Sequence, residues 1–235
     1  MIRLNKYLAQ QGIASRRQAD RLIEDRLVTV NDQIATLGQT INPEKDQVKV
    51  NNKLVNDVSP VLEYHLVYKP LGYVSTTTDP QHRPTVVSLV KSKTRLYPIG
   101  RLDQDSEGLV ILTNDGELTF RLTHPKHHVP KTYHTLVSGD FTDKKLKNLT
   151  KGVTLKEGKT QPAEIKIIRR QGKKTLIEVT IYEGKNRQVR RMISTQKLEV
   201  EKLKRVSIGP ITLGDLKPKD SRPLSPTEVK QLKDL

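Results

Sequence analysis

The chain has no cysteine among its 235 residues. Disulfides, zinc knuckles and thiol nucleophiles are thereby excluded. Apolar residues are also sparse, 34% against 29% charged. That balance is thin for a single large core and favours two smaller ones with much surface between them. No window approaches the ~18 uninterrupted apolar residues of a membrane span. Met1 leads into Ile2-Arg3-Leu4-Asn5-Lys6 without the apolar core of a signal peptide, so the expectation is a soluble cytoplasmic protein. Acid is scarce relative to base: 42 Lys plus Arg face 26 Asp plus Glu, a formal +16. An excess of this size points to a polyanionic partner, because each neutralised phosphate releases counterions. Residues 1–60 carry nine basic and seven acidic side chains, a net +2, so +14 of the +16 belongs to the rest. The larger part of the chain therefore supplies most of the nonspecific attraction.

What is present sorts into landmarks along the chain. Leu4, Tyr7 and Leu8 recur at helical spacing and Gly12 stops that helix. Ser15-Arg16-Arg17-Gln18 is a capping-box pattern opening a second helix, with Ala19, Leu22 and Ile23 on its inner face and Arg16, Arg17 and Arg21 outside. Short strands are expected at 28–30 and 48–50, with Asn31-Asp32 as a turn, and this small unit buries only a modest core. The polar stretch from Asn51 to Pro60 reads as a linker, giving domains of 1–58 and 62–235.

In the second part, Glu63 to Tyr68 is strand-like and Lys69-Pro70-Leu71-Gly72 turns it. Residues 76–84 form a polar, proline-containing loop with Arg83. The stretch from Gly100 to Gly116 is the least generic part of the chain. Leu109 to Thr113 has the content of a buried strand, Asn114-Asp115-Gly116 reads as a tight turn, and Asp103 sits in the loop before the strand. A short helix is expected over 117–123. His124, His127 and His128 lie around Pro125 and Pro130 without the spacing of a metal site, and none is expected. Lys131 to Val137 reads as a strand on which Tyr133 shares a face with Thr135 and Val137, the usual situation of a core tyrosine. A helix over 141–149 is followed by strands over 161–168 and 175–182, joined through the basic tip 169–174. A helix over 187–196, capped by Asn186, buries Val189, Met192 and Ile193 and turns Arg187 and Arg191 outward. Arg190 lies at the edge of the buried stripe, where a guanidinium can meet a carboxylate. A strand and turn over 203–213 and a helix over 227–234, capped by Ser225, complete the chain.

Gly-Arg-Leu-Asp-x-x-Ser-x-Gly-Leu at 100–109, followed by Thr-Asn-Asp-Gly at 113–116, resembles the signature of the RsuA family of bacterial ribosomal-RNA pseudouridine synthases. The Lys-x-Tyr at 131–133 and the run Asn-Arg-Gln-Val-Arg-Arg at 186–191 match that family's second and third motifs. Arg-Leu-x-Lys-Tyr-Leu-Ala-x-x-Gly-Ile-Ala-Ser-Arg-Arg-x-Ala from Arg3 is similar to the alpha-L RNA-binding domain first known from small-subunit ribosomal protein four. Where many members of that family carry Gly-His after the helix of the third motif, this chain has Lys197-Leu198, a departure that leaves room for the helix to extend and lies outside the chemistry.

The resemblance implies an α+β protein, a small alpha-L domain followed by a catalytic domain on a mainly antiparallel mixed sheet with flanking helices. It implies isomerisation of one uridine of ribosomal RNA to pseudouridine, large-subunit RNA preferred and small-subunit RNA next, without cofactor or net water. Asp103 would act as nucleophile at C1′ or as base toward C2′. Tyr133 would stack on the flipped base, and Arg190 would pair with the aspartate. Arg3, Lys6, Arg16, Arg17 and Arg21 are the implied phosphate contacts of the first domain, with Lys69, Arg101, Arg187 and Arg191 as substrate-side or RNA contacts of the second. The expected partner is ribosomal RNA or an assembly intermediate, the expected state a monomer. Two competing classes are a noncatalytic RNA-binding or ribosome-assembly factor and a hydrolytic N-glycosidase. The first gives no reason for Asp103, Tyr133 and Arg190 to occur in that order, and the second usually needs further carboxylates.

Overall fold

The computed structural model describes residues 1–55 and 61–235, so the expected linker lies in part outside the described residues. The chain separates into two compact units, one of residues 1–63 with 92–95 and 114–116, the other of the remaining residues. No helix among the described residues is long and apolar enough to cross a membrane.

The first unit runs β1 (Ile2–Arg3), α1 (Leu4–Gln10), α2 (Arg16–Glu24), β2 (Val28–Val30), β3 (Gln33–Ile34), β4 (Thr40–Ile41), β5 (Val48–Val50) and β6 (Lys53–Leu54). Strand β1 pairs with β4, while β3–β2–β5–β6 form an antiparallel sheet. Gly12, at φ +74, takes the left-handed conformation that ends α1. The capping box of α2 is present: Ser15 Oγ accepts from Gln18 N at 3.2 Å, and Ser15 N donates to Gln18 Oε1 at 3.0 Å. Such a cap contributes about 1 kcal/mol to a helix this short. Leu4, Leu8, Ala19, Ile23, Val28, Ile41 and Val48 make the core. Asn31 and Asp32 do turn the chain, both with positive φ, but into β3, a two-residue strand too short to leave a periodic signal. Arg3, Lys6, Arg16, Arg17 and Arg21 are all exposed.

The second unit contains β7 (Tyr64–Lys69), β8 (Tyr97–Ile99), β9 (Glu107–Thr113), α3 (Gly116–Thr123), β10 (Lys131–Ser138), α4 (Asp143–Thr150), β11 (Thr154–Leu155), β12 (Gly158–Lys159), β13 (Glu164–Gln171), β14 (Lys174–Ile181), α5 (Gln188–Thr195), β15 (Glu199–Ile208), β16 (Ile211–Thr212), β17 (Ser221–Pro223) and α6 (Pro226–Lys233). Nine strands form one sheet, in the order β13–β14–β10–β15–β9–β7–β17, with β8 beside β9 and β16 beside β15. Every pair is antiparallel except β15 with β9. The α+β architecture and its mainly antiparallel sheet are therefore those expected.

Both faces of the sheet are covered. Val110 and Leu112 of β9 join one core with Val189, Met192 and Ile193 of α5 and Leu149 of α4. Leu109 and Ile111 face the other, with Leu118 and Leu122 of α3 and Leu232 of α6. A strand buried on both sides reads as a continuous apolar run, which is why β9 is conspicuous in the sequence. At the parallel seam Gly108 stands opposite Arg205; a Cβ there would lie 2.2 Å from the Arg205 carbonyl oxygen. Only glycine permits that approach.

Two local expectations fail. Asn114-Asp115-Gly116 is not a tight turn: none of the three has positive φ, and Gly116 already begins α3. The Asn114 amide instead holds the chain near residue 62, accepting from Glu63 N at 2.8 Å and donating to the Val61 carbonyl at 2.9 Å. Helix α5 starts at Gln188, with Arg187 rather than Asn186 at its N-cap in a left-handed conformation, φ 50. It does not extend past its expected end, because Lys197 is also left-handed, φ 55.

Candidate active site

The turn after β7 and the loop before β9 are joined by hydrogen bonds that fix where Asp103 lies. Lys69 Nζ donates to the Ser106 carbonyl at 2.6 Å and to the Pro70 carbonyl at 3.1 Å, and Gly72 N donates to the Gln104 carbonyl at 2.9 Å. Ser75 Oγ donates to the Leu102 carbonyl and accepts from Leu102 N. Ser106 N closes the loop on the Asp103 carbonyl at 3.1 Å. The backbone around Asp103 is thus held from both sides while its carboxylate stays one-third exposed. This corrects the role expected for Lys69. Its side chain is fully buried, so it does not reach RNA, and the carbonyls it satisfies explain why a lysine is tolerated there.

Asp103 faces a cavity of about 280 Å³. Its lining includes Tyr133 and Lys131 from β10, Arg205 from β15, Arg101 beside the aspartate, and Arg187 from the segment before α5. Tyr133 and Arg205 are cross-strand partners, which sets them side by side on the sheet. Tyr133 is 8% exposed and belongs to the α5-side core, so it is both a core residue and a wall of the cavity.

The two guanidiniums of the third motif are placed differently from the expectation. Arg187 precedes the helix, so helical periodicity does not govern its direction. It turns inward, making two hydrogen bonds to Asp105 at 3.0 and 2.8 Å and approaching Asp103 Oδ2 at 3.7 Å. Arg190 does not pair with Asp103. Its Nη2 donates to the Asp105 carbonyl at 2.6 Å, its Nη1 to the Val200 carbonyl at 3.2 Å, and its Nε lies 3.4 Å from Asp105 Oδ2. Arg191 pairs with both oxygens of Glu157, at 2.9 and 2.7 Å, rather than standing free. Arg101 is exposed at the cavity wall.

Sequence reasoning passed over five residues. Asp105 collects Arg187 and Arg190, and Arg187 holds its carboxyl below the usual carboxylate range. Glu183 and Gln188 bond to each other at 2.7 Å in the interior, and Lys185 N donates to Gln188 Oε1, fixing the segment that carries Arg187. Arg205 is 3% exposed; its Nε donates to the Leu109 carbonyl at 2.7 Å, but its buried Nη2 has no partner. Lys131 is half-buried, and burial together with the charge of Arg205 pushes its ammonium down to about 8. Burial brings Lys69 to about 8 as well, against the pull of Asp103 and Asp105. A signal for Asp105 was available, since it lies two residues from Asp103 in the same motif. None existed for Arg205, one cation among 42.

Comparison with known proteins identifies the family. The RNA pseudouridylate synthase family model matches residues 63–195 and the S4 domain model matches residues 2–48. Ribosomal large subunit pseudouridine synthase B of Bacillus subtilis is 44% identical over all of this chain and 97% of its own length. An RNA pseudouridine synthase of Aquifex aeolicus is 42% identical, covering 98% of this chain and 93% of its own. The dual-specificity RNA pseudouridine synthase RluF of Escherichia coli is 36% identical, over 97% of this chain and 77% of its own. A crystal structure of a pseudouridylate synthase superimposes with a TM-score of 0.72 at 30% identity, covering 99% of this chain and all of that one. The catalytic model spans more than half of the chain and the relatives run along nearly its whole length, so the chain belongs to the RNA pseudouridylate synthase family, in its RsuA-type branch, and is an isomerase.

Proposed function

We propose that this enzyme isomerises one uridine of ribosomal RNA, large-subunit RNA in preference to small-subunit RNA, with Asp103 as the group that acts at the sugar. The single observation that carries the reading is the cavity: Asp103 is the only carboxylate among the described residues lining it, and Tyr133 with several cations completes it. A hydrolytic glycosidase needs a base for water as well as a group at the sugar, and a single carboxylate does not provide both. The large-subunit preference is supported by the relative from Bacillus subtilis.

The uridine leaves its stack, at about a few kcal/mol, and enters beside Tyr133. The N1–C1′ bond breaks with its electron pair going to the base. Asp103 meets the electron demand at the sugar, either by bonding to C1′ or by taking the C2′ proton. The detached uracil is then an anion. Arg205, a buried guanidinium with no ion pair among the described residues, and Lys131 beside it are donors suited to that charge. The base turns and C5 bonds to C1′ as the Asp103–C1′ bond breaks or, on the other route, as the C2′ proton returns from Asp103; the C5 proton then leaves while N1 takes one up, so atoms balance without cofactor or net water. Arg190 acts as a positioning residue through the Asp105 carbonyl, and Arg187 supplies the positive charge near Asp103.

Residues 1–58 and 62–235 serve as RNA-binding and catalytic domains. Arg3, Lys6, Arg16, Arg17 and Arg21, all exposed, contact phosphates, and Arg101 does so at the cavity. The enzyme works in the cytoplasm as a monomer. The test is chemical mapping of ribosomal RNA from cells lacking the protein, before and after incubation with wild type and with Asp103→Asn. Wild type restores one pseudouridine in large-subunit RNA, and Asp103→Asn binds but restores none. Turnover by the variant, or an abasic site in place of pseudouridine, refutes the assignment.

A further inference from the structure

Helix α3 buries Leu118 and Leu122 and turns the opposite face outward, where Phe120 is 50% exposed. The chain has only two phenylalanines. Leaving half of one in water gains nothing for folding, so its surroundings matter. The His124 ring lies 4.7 Å from the Phe120 ring at 42°, and the His127 ring lies 6.1 Å away edge-on. Lys126 Nζ stands 5.2 Å from the Phe120 centroid. A cluster that merely covered itself would have hidden Phe120, yet half of that ring is open.

Two further observations say what covers it. From Leu118 to Gly139 the sequence contains no Asp or Glu; Lys126 lies within that span beside Phe120, as does Arg121, which stands 4.0 Å from the preceding Glu117. The patch is therefore aromatic and cationic, the combination that suits an unpaired base on a phosphate backbone rather than an apolar protein face. Thr123, three residues after Phe120 and so on the neighbouring surface of the helix, lines the cavity that contains Asp103. Its methyl would lie 3.7 Å from a Cβ at Gly100, next to Arg101. The patch is thus continuous with the cavity wall, within reach of a nucleotide next to one bound inside.

We propose that Phe120, His124 and His127, flanked by Lys126, form a stacking platform for an unpaired RNA base next to the flipped uridine. The platform rests on the RNA-modifying role of the adjoining cavity, and it adds a second base-recognition site outside that cavity. Flipping one nucleotide disrupts the stacking of its neighbours, and an external aromatic surface compensates for that loss. Stacking of one base on an aromatic side chain contributes about 1–3 kcal/mol, which is about 5–150-fold in affinity.

The experiment uses the full chain and a twelve-residue oligouridylate carrying 4-thiouridine. After irradiation, adduct positions are sequenced by mass spectrometry for wild type, Phe120→Ala and Phe120→Trp. Adducts are expected at Phe120, His124 or His127 in wild type, lost with alanine and restored with tryptophan. In parallel, pseudouridine formation on ribosomal RNA from cells lacking the protein is expected to show KM raised by about 5–150-fold for Phe120→Ala, kcat within twofold, and recovery with tryptophan. Absence of adducts from residues 117–128 in wild type overturns the platform, as does an unchanged KM in Phe120→Ala. Failure of tryptophan to restore either readout also overturns it, because the loss is then one of helix structure. If wild type forms no pseudouridine, the cavity reading fails, and the crosslinks still decide the platform on their own.

Discussion

Lys69 offers a quantitative test of how the Asp103 loop is held, because it is fully buried and yet, among the described residues, its ammonium is bonded only to carbonyl oxygens. Burial brings it from an ordinary 10.5 down to about 8. Below that value the folded protein carries a buried charge, whereas the unfolded chain carries a solvated one. The unfolded state binds the more protons between pH 8 and 10.5, so stability rises with pH across that window and the penalty is fully present below it. Between pH 7 and pH 9.5 the linkage relation gives a gain of about 2 kcal/mol from this one group. Replacing Lys69 by methionine keeps most of the volume and removes the titration. The measurement is urea unfolding of wild type and Lys69→Met at both pH values, reading the double difference so that the similarly depressed Lys131 cancels. Wild type should gain about 2 kcal/mol more than the variant between the two pH values. Equal slopes would refute the reasoning, since Lys69 would then titrate as it does in water. The variant also leaves the Ser106 carbonyl without its donor, so the loop loosens and kcat should fall at either pH.

Three further outcomes follow from the site. Arg205→Met removes a buried cation whose Nη2 is unpartnered, so the thermal midpoint should change by no more than about 1 kcal/mol equivalent while kcat for pseudouridine formation falls at least tenfold; a large loss of stability with normal kcat would reverse the assignment. Gly108→Ala should cost about 3 kcal/mol or more in chemical denaturation, because the new methyl meets Arg205 backbone atoms at 2.2 and 2.7 Å and a φ of +110 disfavours alanine; an unchanged midpoint would mean the β9–β15 seam yields easily. Asp105→Asn should leave the midpoint within about 1 kcal/mol, the carboxylate being half-exposed, yet reduce kcat more than it raises KM as Arg187 shifts toward Asp103. Because Arg187 depresses the Asp105 carboxyl, the pairing's contribution is present above the ordinary 3.8 and is lost only as pH falls through the lower folded value.

The parts of the fold legible in the sequence are those where a local pattern and the tertiary environment demand the same thing. Strand β9 is buried on both faces and reads as one apolar run; the capping boxes at Ser15 and Ser225 name their partners within three residues. Tyr133 alternates correctly along β10 and lines the cavity with Asp103. The failures are places where a long-range partner decides. Asn114 looks like a turn residue, but its amide is engaged by backbone about fifty positions earlier. Arg187 looks like a solvent-facing helix residue until its left-handed backbone takes it out of the helix and aims it at Asp105. Lys69 is expected on the substrate side by resemblance alone, and the carbonyls of Pro70 and Ser106 that account for its burial leave no sequence signal.

These misreadings share a physical cause that bears on how the site is arranged. The cations gathered near the cavity would neutralise Asp103 if they were free to collapse onto it. Three of those around the Asp103 loop are held elsewhere: Lys69 by two carbonyls, Arg190 by the carbonyls of Asp105 and Val200, Arg187 by both oxygens of the Asp105 carboxylate. Asp105 therefore serves as the counter-ion that Asp103 would otherwise have become. At 3.7 Å, Arg187 sets a positive charge beside Asp103 but is too distant for a short hydrogen bond to occupy it. A carboxylate in that condition keeps its lone pairs available, which is what the proposed action at C1′ or C2′ requires. Sequence shows Asp103 and Asp105 as two acids of equal standing in one motif; the division of labour between them exists only once Arg187 has chosen one.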